Sequence, residues 1–302
     1  MRIIYSNGAH ELDEVIMRLR ITMSKRLLAM TCMSIVIVCC HAQWKQGEVP
    51  PSFRRVKDPT TIDTAQVVAY YAFNATDIKD EKTYIDLGWL QVGKNYTKYA
   101  SYFMHVSDST YKPKLIHSGA ASGYPRQLNG GKFPDAWSEY QYDELFIKDG
   151  QLTEYAVMSV YLDNACCYYT EDYPMQQWKL TDERQTIHGY DCQKATCSWR
   201  GRDYTAWFTT EIPVSRGPWK FGGLPGLIVK IYDMKEEYNF ELVKLEQMKR
   251  PIVQYNFSKF RKTSREQMLQ LQKRINVNWL RPISAESASY LPDHPYSPME
   301  LE

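Results

Sequence analysis

Histidine is scarce in this chain, with six in 302 residues, and no H-E-x-x-H pair excludes the helical zinc-protease pattern. No G-x-S-x-G stands between a strand and a helix, so no serine nucleophile elbow is written here. The Ser/Gly-rich run His117-Ser118-Gly119-Ala120-Ala121-Ser122-Gly123 reads as a flexible loop instead. Long apolar runs are missing too: Leu27 to Cys40 falls short of the ~20 residues needed to span a bilayer. There is no internal repeat.

An excess of one charge is also lacking once the leader is considered. From Met23, Lys25 and Arg26 precede an apolar run, and Cys40-His41-Ala42 forms a small-x-small site before Gln43. That pattern predicts a secretory signal peptide, with Met23 as the true start and residues 1–22 an upstream extension. Its removal takes away Arg2, Arg18, Arg20, Lys25 and Arg26 against Glu11, Asp13 and Glu14, leaving equal basic and acidic counts. A neutral chain has no electrostatic case for nucleic acid. The expected address is the periplasm or cell surface, with no transmembrane helix in the mature chain.

Four cysteines follow the leader: Cys166, Cys167, Cys192 and Cys197. In an oxidising compartment they are disulfide candidates, with each of the adjacent pair joining one of the later two. Buried free thiols are the alternative. Zinc ligation is disfavoured because the four contain neither C-x-C nor C-x-x-C, and His188 is the one histidine nearby. Cys167 with His188 is a weak catalytic pairing. The acidic pairs Asp143-Glu144 and Glu236-Glu237 sit at hairpin positions, where solvated charge is the default. No catalytic residue, cofactor or metal is predicted.

What the chain does have is aromatic and β-branched side chains. Aromatics make up 14% of it and tyrosine alone numbers 23, a composition suited to pleated, half-buried surfaces. Strands are predicted at Val67 to Phe73, Tyr84 to Val92, Tyr96 to Val106, Tyr140 to Lys148, Gln151 to Leu162, His188 to Trp199, Arg202 to Glu211 and Tyr238 to Leu245. Asp149-Gly150 and Arg200-Gly201 supply hairpin turns. One helix follows, capped by Thr263 with Glu266 and carrying Met268, Leu271 and Ile275 on one face. Residues 112–137 read as a long irregular loop and the first place to seek a binding surface. The proline-rich end reads as a strap pinned by Tyr296, Met299 and Leu301. The expectation is one mostly β domain over residues 43–302: a large antiparallel, bowl- or barrel-like curved sheet of about ten strands with one C-terminal helix.

The organising stretch is Gly201 to Asp233, centred on Gly223-Leu224-Pro225-Gly226-Leu227-Ile228. Pro225-Gly226 predicts a type II turn, with Gly226 taking the positive φ, between two extended segments. This stretch resembles the GLPGLI family of exported Bacteroidota-type proteins. The likeness extends to Gly189, Tyr190, Cys192, Lys194, Ala195, Gly201, Arg202, Ala206 and Trp207 upstream. It includes Leu90 to Lys94 and Thr97 to Tyr99 near the start, and Ser297 to Leu301 at the end. The resemblance implies export and a mostly β fold, with no established activity, cofactor or catalytic residue. It points to a partner at the envelope: a TonB-dependent outer-membrane receptor, a peptide or a glycan. A weaker fold-level likeness is to the bowl-shaped domain that accompanies some glycan-removing amidases. The leading expectation is therefore a non-enzymatic binding or accessory module, with a glycan or peptide hydrolase as the alternative.

Overall fold

The structure is a computed structural model and describes residues 54, 56–106, 108–109, 142–158, 164–278 and 297–301. The leader, the 112–137 loop, Tyr296, His117 and His294 lie outside them.

Thirteen strands form one sheet: β1 (Thr60–Phe73), β2 (Asp86–Gly93), β3 (Thr97–Ser101), β4 (Asp143–Lys148), β5 (Gln151–Ala156), β6 (Cys167–Asp172), β7 (Lys179–Ile187), β8 (Tyr190–Trp199), β9 (Arg202–Thr209), β10 (Leu227–Asp233), β11 (Asn239–Glu246), β12 (Arg250–Gln254) and β13 (Arg261–Lys262). Their spatial order is β13-β6-β5-β4-β3-β2-β1-β11-β10-β9-β8-β7, with β12 also on β1. All described pairings are antiparallel except the short β13–β6 contact. The sheet is curved and does not close into a barrel. Two helices, α1 (Tyr102–Val106) and α2 (Arg265–Asn278), and a 3-10 turn at Glu81–Thr83 accompany the sheet among the described residues.

β1 is the hub. Its 14 residues pair with β2 along Ala65–Phe73 on one side, while β12 and then β11 share the other. Alternation along β1 divides two cores, as the two-residue period of a strand requires. Tyr71 and Phe73 enter the main cluster with Leu90, Leu145, Val229 and Ile231. Tyr70 and Ala72 face the opposite side, with Leu87, Trp89 and Ile252.

The hairpin turns follow their sequences. Asp149 and Gly150 take φ of 50° and 74°, Arg200 and Gly201 48° and 78°, and His188 and Gly189 50° and 86°. Two successive positive φ values match the right-handed strand twist. Elsewhere the boundaries move. The strand expected to run to Val106 stops at Ser101, whose Oγ donates to Asp86 and accepts the Met104 N–H, starting α1. The cap of α2 sits one residue later than expected. Gln267 N–H donates to Ser264 Oγ, and Gln267 Oε1 accepts from Ser264 N–H, making Ser264/Gln267 the capping box. Met268 is buried against Met104, Tyr142 and Tyr169, with Leu271 and Ile275 packed alongside.

Candidate functional site

The hexapeptide is a packing device, though not by the predicted turn. Leu224, Leu227 and Ile228 are buried in the main core beside Trp219 and Phe221. Leu227 opens β10, as the β-branched run suggested. The segment before it, 210–226, is irregular except for a bridge between Arg216 and Gly222. The positive φ falls on Gly223, at 85°, whereas Gly226 is not among the positive-φ residues. Gly226 is glycine because a Cβ there would lie 1.9 Å from the Thr209 carbonyl oxygen. Close backbone approach, rather than turn chemistry, selects it.

The terminal segment is a strap that explains two more of the sequence elements. Arg202 engages all its donor positions: Nη1 reaches Asp233 and Glu237, while Nε and Nη2 reach Pro298 O and Nη2 also Ser297 Oγ. Tyr204 donates to Met299 O, and Leu301 N–H to Arg200 O. Met299 is buried, while the Leu301 side chain is exposed.

Glu300 ends that strap in a buried ion cluster. Its carboxylate accepts from Lys220 at 2.6 Å, from Arg265 at 2.6 Å and from Arg200. Lys220 also meets Glu154 at 2.6 Å, and Arg200 grips Glu171 through both carboxylate oxygens. Since β5 and β6 stand near one end of the strand order and β8–β9 near the other, the cluster fastens the curled sheet across its gap. Burial alone would raise the Glu300 carboxyl, but Lys220, Arg200 and Arg265 outweigh it and hold it down to about 2. Burial would lower Lys220, yet Glu154 and Glu300 leave it raised. Three cations balance three carboxylates in the cluster, and Lys220, Arg265, Glu154 and Glu300 line a cavity of about 10 Å³, room for roughly one water and no substrate. The cluster is a lock.

A second buried network corrects an expectation. Asp143 and Glu144 are not solvated hairpin charges but are both buried. Glu144 pairs with Lys98 at 2.9 Å and Arg54 at 3.0 Å, and Arg54 also meets Asp108. Burial opposes the charge on Glu144, and the two cations still hold its carboxyl below the usual range.

The cysteines do not pair. No disulfide joins any two of them, and all four are buried. Cys166 and Cys167 pack in the cluster beneath α2, whereas Cys192 and Cys197 sit on β8 in the main core. Burial pushes the Cys167 and Cys197 thiols up to about 12 and Cys192 to about 11, the reverse of a nucleophile. His188 faces Glu241 at 2.9 Å rather than a cysteine. Among the described residues no group of three or more His, Cys, Asp or Glu side chains is placed to hold a metal.

Among the described residues, a cleft of about 560 Å³ opens on the face opposite the main core. Tyr155 and Tyr168 are cross-strand partners on β5 and β6, stacked with centroids 5.3 Å apart. Phe257 stacks on Tyr155 at 4.2 Å, and Phe260 and Tyr255 close the ring wall. Asp58, Thr60, Gln254, Asn256 and Ser258 alternate with these rings around the rim. Beneath, Lys98 lies 5.8 Å from the Tyr255 ring, and burial together with Glu144 and Asp108 pushes that phenol up to about 12. Tyr255 therefore stays a neutral hydroxyl. Sequence reasoning placed Tyr155 on a strand but gave no strand to Tyr168, which lies on β6, and no element to 254–260. The available signal was Tyr255, Phe257 and Phe260 in quick succession, obscured because Pro251 argues against a strand at β12.

Residues 201–230 match a family described as "Protein of unknown function (Porph_ging)". That span holds both the Arg202 anchor and the hexapeptide. No curated protein matches the chain. Two solved structures, of PNGF-II in P21 and C2 space groups, are similar at 15% identity and a TM-score of 0.43, covering 70% of this chain. The match takes in 33% of those longer chains.

Proposed function

We propose that this chain is a non-enzymatic binding module, exported to the cell envelope, whose aromatic cleft takes a neutral carbohydrate. The observation that carries the reading is the lining: five aromatic rings alternate with five polar side chains, and the described lining residues include no lysine or arginine. A sugar presents apolar C–H faces to rings and hydroxyls to amides and carboxylates, so it satisfies both halves of such a surface. Binding is favoured over hydrolysis because Asp58 is the one carboxylate among those lining residues, whereas most glycosidases use two. The buried acids Asp108, Glu144, Glu154, Asp233 and Glu300 are each paired with a cation. Export rests on the leader pattern, and a receptor or other envelope partner on the family resemblance. N-terminal sequencing of secreted protein tests the former, with Gln43 expected first.

The test of binding is a panel of neutral oligosaccharides titrated calorimetrically against wild type and Tyr168→Ala. Truncating a central aromatic should weaken binding by more than about tenfold. Unchanged affinity in Tyr168→Ala, or release of reducing ends by purified protein, would overturn the reading.

A further inference from the structure

A separate pocket of about 450 Å³ lies where two hairpin turns and the lead-in to the hexapeptide converge. Register explains the convergence. Thr97 at the start of β3 pairs with Ile147 near the end of β4, so the β2–β3 and β4–β5 turns emerge side by side. The loop at 213–216 supplies the third wall.

Its electrostatics differ from those of the aromatic cleft. Lys94, Lys148 and Arg216 line it, against the single carboxylate of Asp149. Asp149 is 83% exposed and stands 4.0 Å from Lys148, a contact worth little in water. The Lys148 ammonium instead sits 5.1 Å from the Tyr96 ring. Asp63, the acid nearest the other turn, accepts the N–H groups of Asn95 and Tyr96 and attracts Lys94 from outside the lining. Arg216 is held in place: its guanidinium lies over Tyr173 at 4.9 Å and donates from Nη1 to Ser215 O.

We propose that this pocket is an oxyanion subsite, taking the carboxylate or phosphate group of a ligand, with Arg216 as the fixed fork and Lys94 and Lys148 as mobile clamps. A planar guanidinium matches both groups, and the two lysines add charge without fixing geometry. The pocket exceeds a bare ion, leaving room for the body that carries the group. The assignment stands whether or not the aromatic cleft binds sugar.

The experiment is NMR titration of the full chain with four probes: glucuronate, glucose 6-phosphate, inorganic phosphate and glucose. Anionic probes should shift the amides of Lys94, Lys148 and Arg216, weaken with added salt, and leave glucose without effect. Glucuronate and phosphate separate the two sources of the oxyanion; a response to either supports the site. Lys94 is an exposed turn residue and Lys148 the exposed last residue of β4, so K94Q/K148Q should fold normally and bind at least about tenfold more weakly. Arg216→Lys should retain part of the affinity that Arg216→Gln loses. Equal shifts with glucose, no response to any anion, or K94Q/K148Q within about twofold of wild type would overturn the proposal.

Discussion

Gly223 and Gly226 make opposite demands on a methyl group, and their alanine variants should separate two explanations of the hexapeptide. At Gly226 the added Cβ would fall 1.9 Å from Thr209 O and 2.6 Å from its carbonyl carbon. Ordinary contact is about 3.5 Å, so backbone must move by more than about 1 Å. Thr209 is fully buried and pairs with Leu227 at the mouth of the β9–β10 ladder. Yielding there loosens Leu227 and Ile228, both at 0% exposure. Overpacking costs about 1–3 kcal/mol before the core disturbance is added, so Gly226→Ala should lose about 3 kcal/mol or more. Gly223→Ala meets the end of the flexible Met175 side chain at 3.0 Å and mainly incurs its positive φ, roughly 1–2 kcal/mol. Urea unfolding followed by tryptophan fluorescence gives both numbers at an unchanged m-value. If Gly226→Ala stays within about 1 kcal/mol of wild type, or Gly223→Ala proves the costlier, close backbone approach is not what the glycine is for.

Other consequences follow from the buried charges and thiols. The folded Glu300 carboxyl is depressed from 4.5 to about 2, so its stabilisation is present above pH 4.5 and lost as pH falls through that interval. Acid titration of stability should show a loss of a few kcal/mol between those values that Glu300→Gln abolishes; an identical profile in the variant removes the lock. His105 is depressed to about 4 by burial and Lys98, so its contribution fades earlier, as pH falls from 6.5. His105→Asn should flatten that upper window, seen by the same titration. Arg202→Lys cannot reproduce five directed contacts and should cost roughly 3–5 kcal/mol in a melt, against nearly nothing if the strap is ornamental. Iodoacetamide should leave Cys166, Cys167, Cys192 and Cys197 unmodified in the native protein and alkylate all four after unreduced unfolding. Failure to label after unfolding would reveal disulfides.

Much of the sheet was legible because local rules governed it. Asp149-Gly150 and Arg200-Gly201 announce hairpins through their own φ preferences, and the apolar runs around β1, β2 and β10 face core on at least one side. β7 was missed because it pairs only with β8, and most of its nine residues are exposed and polar, leaving no apolar rhythm to read. The helical turn after Ser101 was missed because an aromatic stretch favours strand until Asp86, distant in sequence, positions the capping hydroxyl. Site residues were harder. Glu144 becomes a buried partner only through Lys98 and Arg54, and Glu300 only through Arg200, Lys220 and Arg265. Such long-range neutralisation leaves no local trace. The cleft likewise needs β5, β6 and the 254–260 segment brought together.

The most direct test of the binding account is a crystal structure of the chain with a neutral oligosaccharide selected from the titration panel. The account predicts a sugar ring against Tyr168 and Tyr255, with hydroxyls bonded to Gln254, Asn256 or Asp58 in the cleft those residues line. A sugar bound elsewhere with that cleft empty would contradict it.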